Sequence, residues 1–311
     1  MATKFIVAGI DGTGSAEWRR KDGANSHVYR FLTDVAAGGG GDIEAGVTSA
    51  EGAKKYWHGP GTFGTDLDDI LDKALKFVLA QMDRLIVQGS CAQSDIKICL
   101  VGHSRGCVGA IKVANILNGG ESLGSTLKIK TPVRVEYIGL YDTVNKSSVD
   151  IDVAMPNVAA GRHARRKNRA FNGGSRNLFG TVDIPRFPPF DCDTAHGGIG
   201  GDPGYFTALG NIKKDYYCNA MQLILSQDEL NRRYGHLGPL PRYRQLTGAD
   251  AAERRRFLAR SIGDVIVADN HIRQGAAGNG FSFVRSTELK LKQYGDNDSK
   301  LWGDLTKALG P

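Results

Sequence analysis

Gly102-His103-Ser104-Arg105-Gly106 joins two apolar runs of different character. Before it, Asp95-Ile96-Lys97-Ile98-Cys99-Leu100-Val101 predicts a buried strand, and after it Cys107 through Leu117 predicts a buried helix. A G-x-S-x-G between a strand and a helix has the form of a nucleophile elbow. The turn is tight enough to strain the serine backbone, and the glycines let strand and helix pass closely. The hydroxyl then stands above the sheet at the positive end of a helix. A glycine-rich turn with an incidental serine is the bland alternative; the context on both sides favours the elbow.

A serine hydroxyl needs a base to take its proton and an acid to hold that base, in the chain order Ser, Asp or Glu, His. Residues 132–141 alternate with β-branched residues and predict a strand. Asp142 falls at its C-terminal end, where α/β sheets place their chemistry, and is the expected acid. A turn-capping aspartate is the alternative there. Among seven histidines, His196 leads as base because it opens the glycine-dense loop His196-Gly197-Gly198-Ile199-Gly200-Gly201. His271, after Asp269 and Asn270, is its late-chain competitor, and His103 is expected to pack beside the elbow. For the oxyanion hole, the amide of Arg105 supplies one N–H group and the early loop Asp11-Gly12-Thr13-Gly14-Ser15 offers those of Gly12 and Thr13.

The alternation of elements predicts an α/β protein: a mostly parallel sheet with helices on both faces. A strand is expected at 4–10, a helix over 24–36 and an amphipathic helix over 66–88, with Asp66, Asp68 and Asp69 complementing its dipole. Residues 146–190, rich in Pro and Gly, are expected to form a cap-like insertion within a single domain spanning 1–311. Helices are expected near 214–230, 249–262 and 286–294, the last two in a basic C-terminal segment, 226–311.

Several motifs then fall in order: Ile10-Asp11-Gly12-Thr13-Gly14, Tyr56-Trp57-His58-Gly59-Pro60-Gly61-Thr62, the elbow, Gly139-Leu140-Tyr141-Asp142-Thr143-Val144 and the His196 loop. With the Arg162-His163-Ala164 segment, they make residues 5–225 resemble the bacterial α/β-hydrolase family that includes type VI secretion phospholipase effectors. The resemblance implies an α/β-hydrolase-like fold with Ser104 as nucleophile, Asp142 as acid and His196, not His271, as base. It implies an ester or phospholipid substrate, and a cognate inhibitor protein if the chain is an effector exported by a contractile secretion system. Departures are Pro60, where a small aliphatic residue is usual, and Lys167-Asn168, in place of an acidic pair.

The chain has 311 residues, 41% apolar and 23% charged, ordinary for a globular protein. No run approaches the ~20 apolar residues of a membrane span, and no signal-peptide core opens the chain, so synthesis in the cytoplasm is expected. The five cysteines lack metal-ligand spacing and read as free thiols; no cofactor or metal is expected. The net charge of +7 is concentrated in Arg162, Arg165, Arg166, Lys167, Arg169 and Arg176, and in a second cluster from Arg232 to Arg260. Such clusters suit an anionic membrane surface, or are solvated faces with internal ion pairs; no nucleic-acid motif accompanies them. Serine esterase or lipase is the leading function. A thioesterase or acyltransferase on the same triad, and a non-catalytic binding module, are the alternatives.

Overall fold

A computed structural model describes residues 3–15, 25–61, 64–89, 91–119, 131–145, 149–166, 182–192, 194, 196–201 and 251–290, the side chains of 251–261 excepted. The described strands are β1 (Lys4–Ile10), β2 (Val47–Ser49), β3 (Gly52–Trp57), β4 (Ile96–His103), β5 (Val135–Tyr141), β6 (Val158–Arg166) and β7 (Pro189–Cys192). The helices are α1 (His27–Asp34), α2 (Leu67–Val87), α3 (Arg105–Leu117), the single turn α4 (His196–Ile199) and α5 (Ala251–Gly278). One seven-stranded sheet has the order β2-β3-β1-β4-β5-β6-β7. Every pairing is parallel except the antiparallel β2–β3 edge. The α/β fold read from the sequence is therefore the fold observed.

Strand alternation sorts the core into two layers. Ile6, Ala8 and Ile10 of β1 join Ile96, Ile98 and Leu100 of β4 under α2 and α3. Val7, Cys99 and Val101 point the other way, toward α1 and α5. Helix α2 forms because Leu67, Ile70, Leu71, Ala74, Leu75, Val78, Met82 and Leu85 make one buried stripe. Each large aliphatic side chain so buried contributes about 1.5–3 kcal/mol. Gly9 and Gly139 let helices lie close: a Cβ at Gly9 would stand 2.4 Å from Leu32, and one at Gly139 2.6 Å from Ile272.

Two expectations need correcting. The stretch 146–190 does not form a cap throughout, because Val158–Arg166 is an interior strand between β5 and β7. Its sequence, Val-Ala-Ala-Gly-Arg-His-Ala-Arg-Arg, lacks the apolar alternation of a strand because His163 and Arg166 are buried as polar partners instead. The helix expected near 249–262 runs on to Gly278 and packs against the sheet, and 286–290 is not helical. Strands β2, β3 and β7 carry too few alternating residues to be read in advance. The helix expected at 214–230 lies outside the described residues.

Strands β1 and β4, not consecutive in the chain, lie side by side, while the chain leaves β1 for β2 and β3 on one side and β4 for β5 on the other. The crevice above β1 and β4 is thus the topological switch point, where open α/β sheets bind their ligands. The loop after β1 begins at Asp11, and the turn after β4 holds Ser104.

Candidate active site

Ser104 sits between β4 and α3 with φ 55° and ψ −123°, backbone that a non-glycine residue adopts only when its surroundings impose it. They do so through close packing. A Cβ at Gly102 would lie 2.5 Å from the Gly106 carbonyl oxygen, and one at Gly106 would lie 2.1 Å from that of Ile10. The Ser104 amide donates to the Tyr141 carbonyl at 3.0 Å, and its carbonyl accepts from Val144 at 3.3 Å, stitching the elbow to the turn that holds Asp142. Asp142 also has positive φ, 52°, and its amide donates to the Ala164 carbonyl at 2.7 Å.

The three expected residues meet. His196 Nε2 lies 2.9 Å from Ser104 Oγ, and His196 Nδ1 lies 2.7 Å from Asp142 Oδ2. All three are buried. The glycine loop supplies the approach: Gly200 and Gly201 fold back on α4 through amides donating to His196 and Gly198 carbonyls. Helix α1 clamps the loop from outside, with the His27 amide donating to the Gly200 carbonyl and His27 Nδ1 2.9 Å from the Ile199 carbonyl oxygen. His271 is placed elsewhere, on α5. It stacks on Phe190 at 4.7 Å between ring centroids, and its carbonyl accepts from Arg162 at 2.9 Å.

The oxyanion donors are only partly as expected. Gly12 donates its amide to Asp11 Oδ1 at 2.7 Å, so that N–H is turned away from a substrate. Thr13 is tied to the elbow, since its Oγ1 accepts from Arg105 Nε at 2.7 Å. Arg105 Nη2 also donates to the Gly61 carbonyl at 3.1 Å. One guanidinium thus gathers the elbow, the 11–15 loop and the 56–62 segment.

His103, the variable residue of the pentapeptide, is fully buried between two glycines. A Cβ at Gly12 or at Gly200 would fall 2.4 Å or 2.3 Å from its ring. Its Nε2 is 3.3 Å from the His196 carbonyl oxygen and its Nδ1 is 3.6 Å from Asp11 Oδ1. Asp11 also accepts from Ser26 and, at 2.6 Å, from Tyr56. Burial, the largest single effect, works to raise the Asp11 pKa, but His103, Ser26 and Tyr56 together hold the carboxyl below its ordinary value.

Arg166 is the residue the sequence reading missed. Grouped there with a surface-seeking basic cluster, it is instead fully buried at the end of β6, with Nη1 ion-paired to Asp142 Oδ2 and 3.0 Å from His196 Nδ1. Its neighbours are also engaged: Arg165 pairs with Asp183 and Asp191 at 3.0 and 2.8 Å, and Arg162 holds His271. These three arginines therefore form internal ion pairs and contacts; Lys167, Arg169 and Arg176 lie outside the described residues. Burial would raise the Asp142 pKa, yet Arg166 and His196 drive it well below the carboxylate range. Burial lowers His196 to about 4, against the pull of Asp142 and with the push of Arg166.

No family model matches this chain, and no curated protein matches it. Among solved structures, it is similar to a Tle1 effector bound to the VgrG spike of a type 6 secretion system, at 15% identity and TM-score 0.39, covering 99% of this chain and 79% of that one. It is also similar to an uncharacterized protein from Pseudomonas aeruginosa at 14% identity and TM-score 0.42, covering 99% of this chain and 60% of that one. Neither likeness bears on the chemistry, which the geometry of the site has to carry.

Proposed function

We propose that this protein is a serine hydrolase that cleaves carboxylic esters through an acyl-enzyme, with lipid esters, phospholipids among them, as its substrates. The observation that carries the chemistry is the continuous Ser104–His196–Asp142 chain at 2.9 and 2.7 Å beneath an elbow in strained backbone. Ser104 Oγ attacks the acyl carbonyl carbon while His196 Nε2 takes its proton. Asp142 holds Nδ1–H and so keeps Nε2 the accepting nitrogen. The amides of Arg105 and Thr13 receive the developing oxyanion. The leaving alcohol takes the proton from Nε2, and water, activated by the same nitrogen, releases the acid and restores Ser104. The lipid class, and export as an antibacterial effector met by an inhibitor protein, rest on the motif resemblance.

The test is a series of aryl esters of rising acyl length, one acyl thioester and phospholipid vesicles, each with wild type and Ser104→Ala. The expected result is ester turnover that grows with acyl length, fatty acid release from vesicles, and a loss of about 10⁴-fold or more in the variant. Folded wild type that turns over no ester overturns the proposal. Preference for the thioester redirects it to the alternative acyl class.

A further inference from the structure

We infer that Arg166 is a positioning residue of the triad, which neutralises Asp142 and thereby sets the basicity of His196. This rests on the hydrolase reading for its purpose but not for its geometry. A buried aspartate that faces a histidine alone stabilises the imidazolium strongly. Here Asp142 faces a fixed cation as well as the histidine. Its Oδ2 is ion-paired to Arg166 Nη1 and lies 2.7 Å from His196 Nδ1, while Oδ1 receives the Arg166 backbone amide at 3.4 Å. The Arg166–Asp142 pair is close to neutral, so protonating His196 would place a net positive charge in a buried site, which is costly. Burial and Arg166 both act in that direction on His196.

The same geometry bears on the tautomer. Nη1 of Arg166 is 3.0 Å from His196 Nδ1 and can only donate. When Nδ1 carries its proton, both donors share Asp142 Oδ2. Were Nδ1 bare, Arg166 would donate to it, Nε2 would hold the proton, and the base would be switched off. Asp142 is therefore what keeps Arg166 from selecting the idle tautomer.

Other groups facing this pair are His103 of β4 with Asp11 of the loop after β1, Ser104 from the elbow, and His163 from β6, whose Nε2 accepts from the Thr143 amide at 3.3 Å. Cys107 of α3 reaches the Tyr141 carbonyl, and beyond the Tyr141 ring stand His27 of α1 and Asp269 and Arg273 of α5. Among the described residues only Arg166 touches both Asp142 and His196 with a fixed charge.

The test is a histidine NMR titration of the full chain, with His196 assigned from a His196→Gln variant, on wild type, Arg166→Gln and Arg166→Lys. It reads protonation whether or not any ester is cleaved. Expected are a His196 that stays neutral down to about pH 5 in wild type and in Arg166→Lys, and a titration raised by about 1–3 pH units in Arg166→Gln. The pH–rate profile should move with it, and Arg166→Lys should lose rate without moving its acid limb. A wild-type His196 that titrates at or above about 6.5 overturns the proposal even if neither variant folds. So does an unmoved titration in folded Arg166→Gln.

Discussion

At the residue scale, the three residues proposed as nucleophile, acid and base were legible as candidates because each stands beside a signal that periodicity or glycine content exposes. Ser104 follows a strand, Asp142 ends one, and His196 opens a run of glycines. The choice of His196 over His271 follows here from contact: only His196 reaches both Ser104 and Asp142. His196→Ala is therefore expected to lower kcat by about 10⁴-fold or more, while His271→Ala keeps most of the activity; steady-state kinetics on one aryl ester decide. Arg166 was illegible because an arginine at a strand end looks the same in sequence whether it meets solvent or a buried carboxylate. It also changes the expected pH profile. His196 must be neutral to take a proton, and with its pKa lowered to about 4 it is neutral through the mildly acidic range. The acid limb of kcat/KM is expected below the ordinary histidine value of about 6.5, and a limb at that value contradicts the site's electrostatics.

At the element scale, the elbow depends on backbones that nearly touch. A methyl group at Gly106 would meet the carbonyl oxygens of Ile10 and Asp11 at 2.1 and 2.4 Å, neither of which can swing away. Gly106→Ala is expected to destabilise the protein by about 3 kcal/mol or more and to lower Tm by several degrees in a thermal melt. Gly263→Ala on α5, where a Cβ meets nothing within 4 Å, should leave Tm unchanged or raise it slightly. Strands β1, β4 and β5 were legible because they are buried on both faces. Strand β6 was not, since its apolar positions are given over to Arg162, His163 and Arg166, which serve the site and its flank.

At the scale of the whole molecule, α5 is joined to the rest by charge as well as packing. Arg273 bonds Asp269 at 3.0 Å and Asp34 of α1 at 2.9 Å, and Tyr141 of β5 donates to Asp269 at 2.8 Å, all buried. Arg273→Leu removes the buried cation that the two carboxylates share and is expected to cost about 3–5 kcal/mol, read by denaturant unfolding. Stability should also depend steeply on acid. His27, His163 and His196 are each lowered to about 4 by burial. Their folded pKa values lie below the unfolded value of about 6.5, so the unfolded chain binds protons first, and stability falls as pH drops from there toward 4. Tm measured across that range should decline with it; a flat Tm contradicts these assignments. Ser104, His196 and Asp142 are proposed to act together as nucleophile, base and acid. The most direct measurement is reaction of the folded protein with a fluorophosphonate, followed by mass spectrometry of its peptides. One adduct is expected on the peptide containing Ser104, absent in Ser104→Ala and formed far more slowly in His196→Ala. A folded wild type that takes no label, or takes it on another residue, would contradict the proposal.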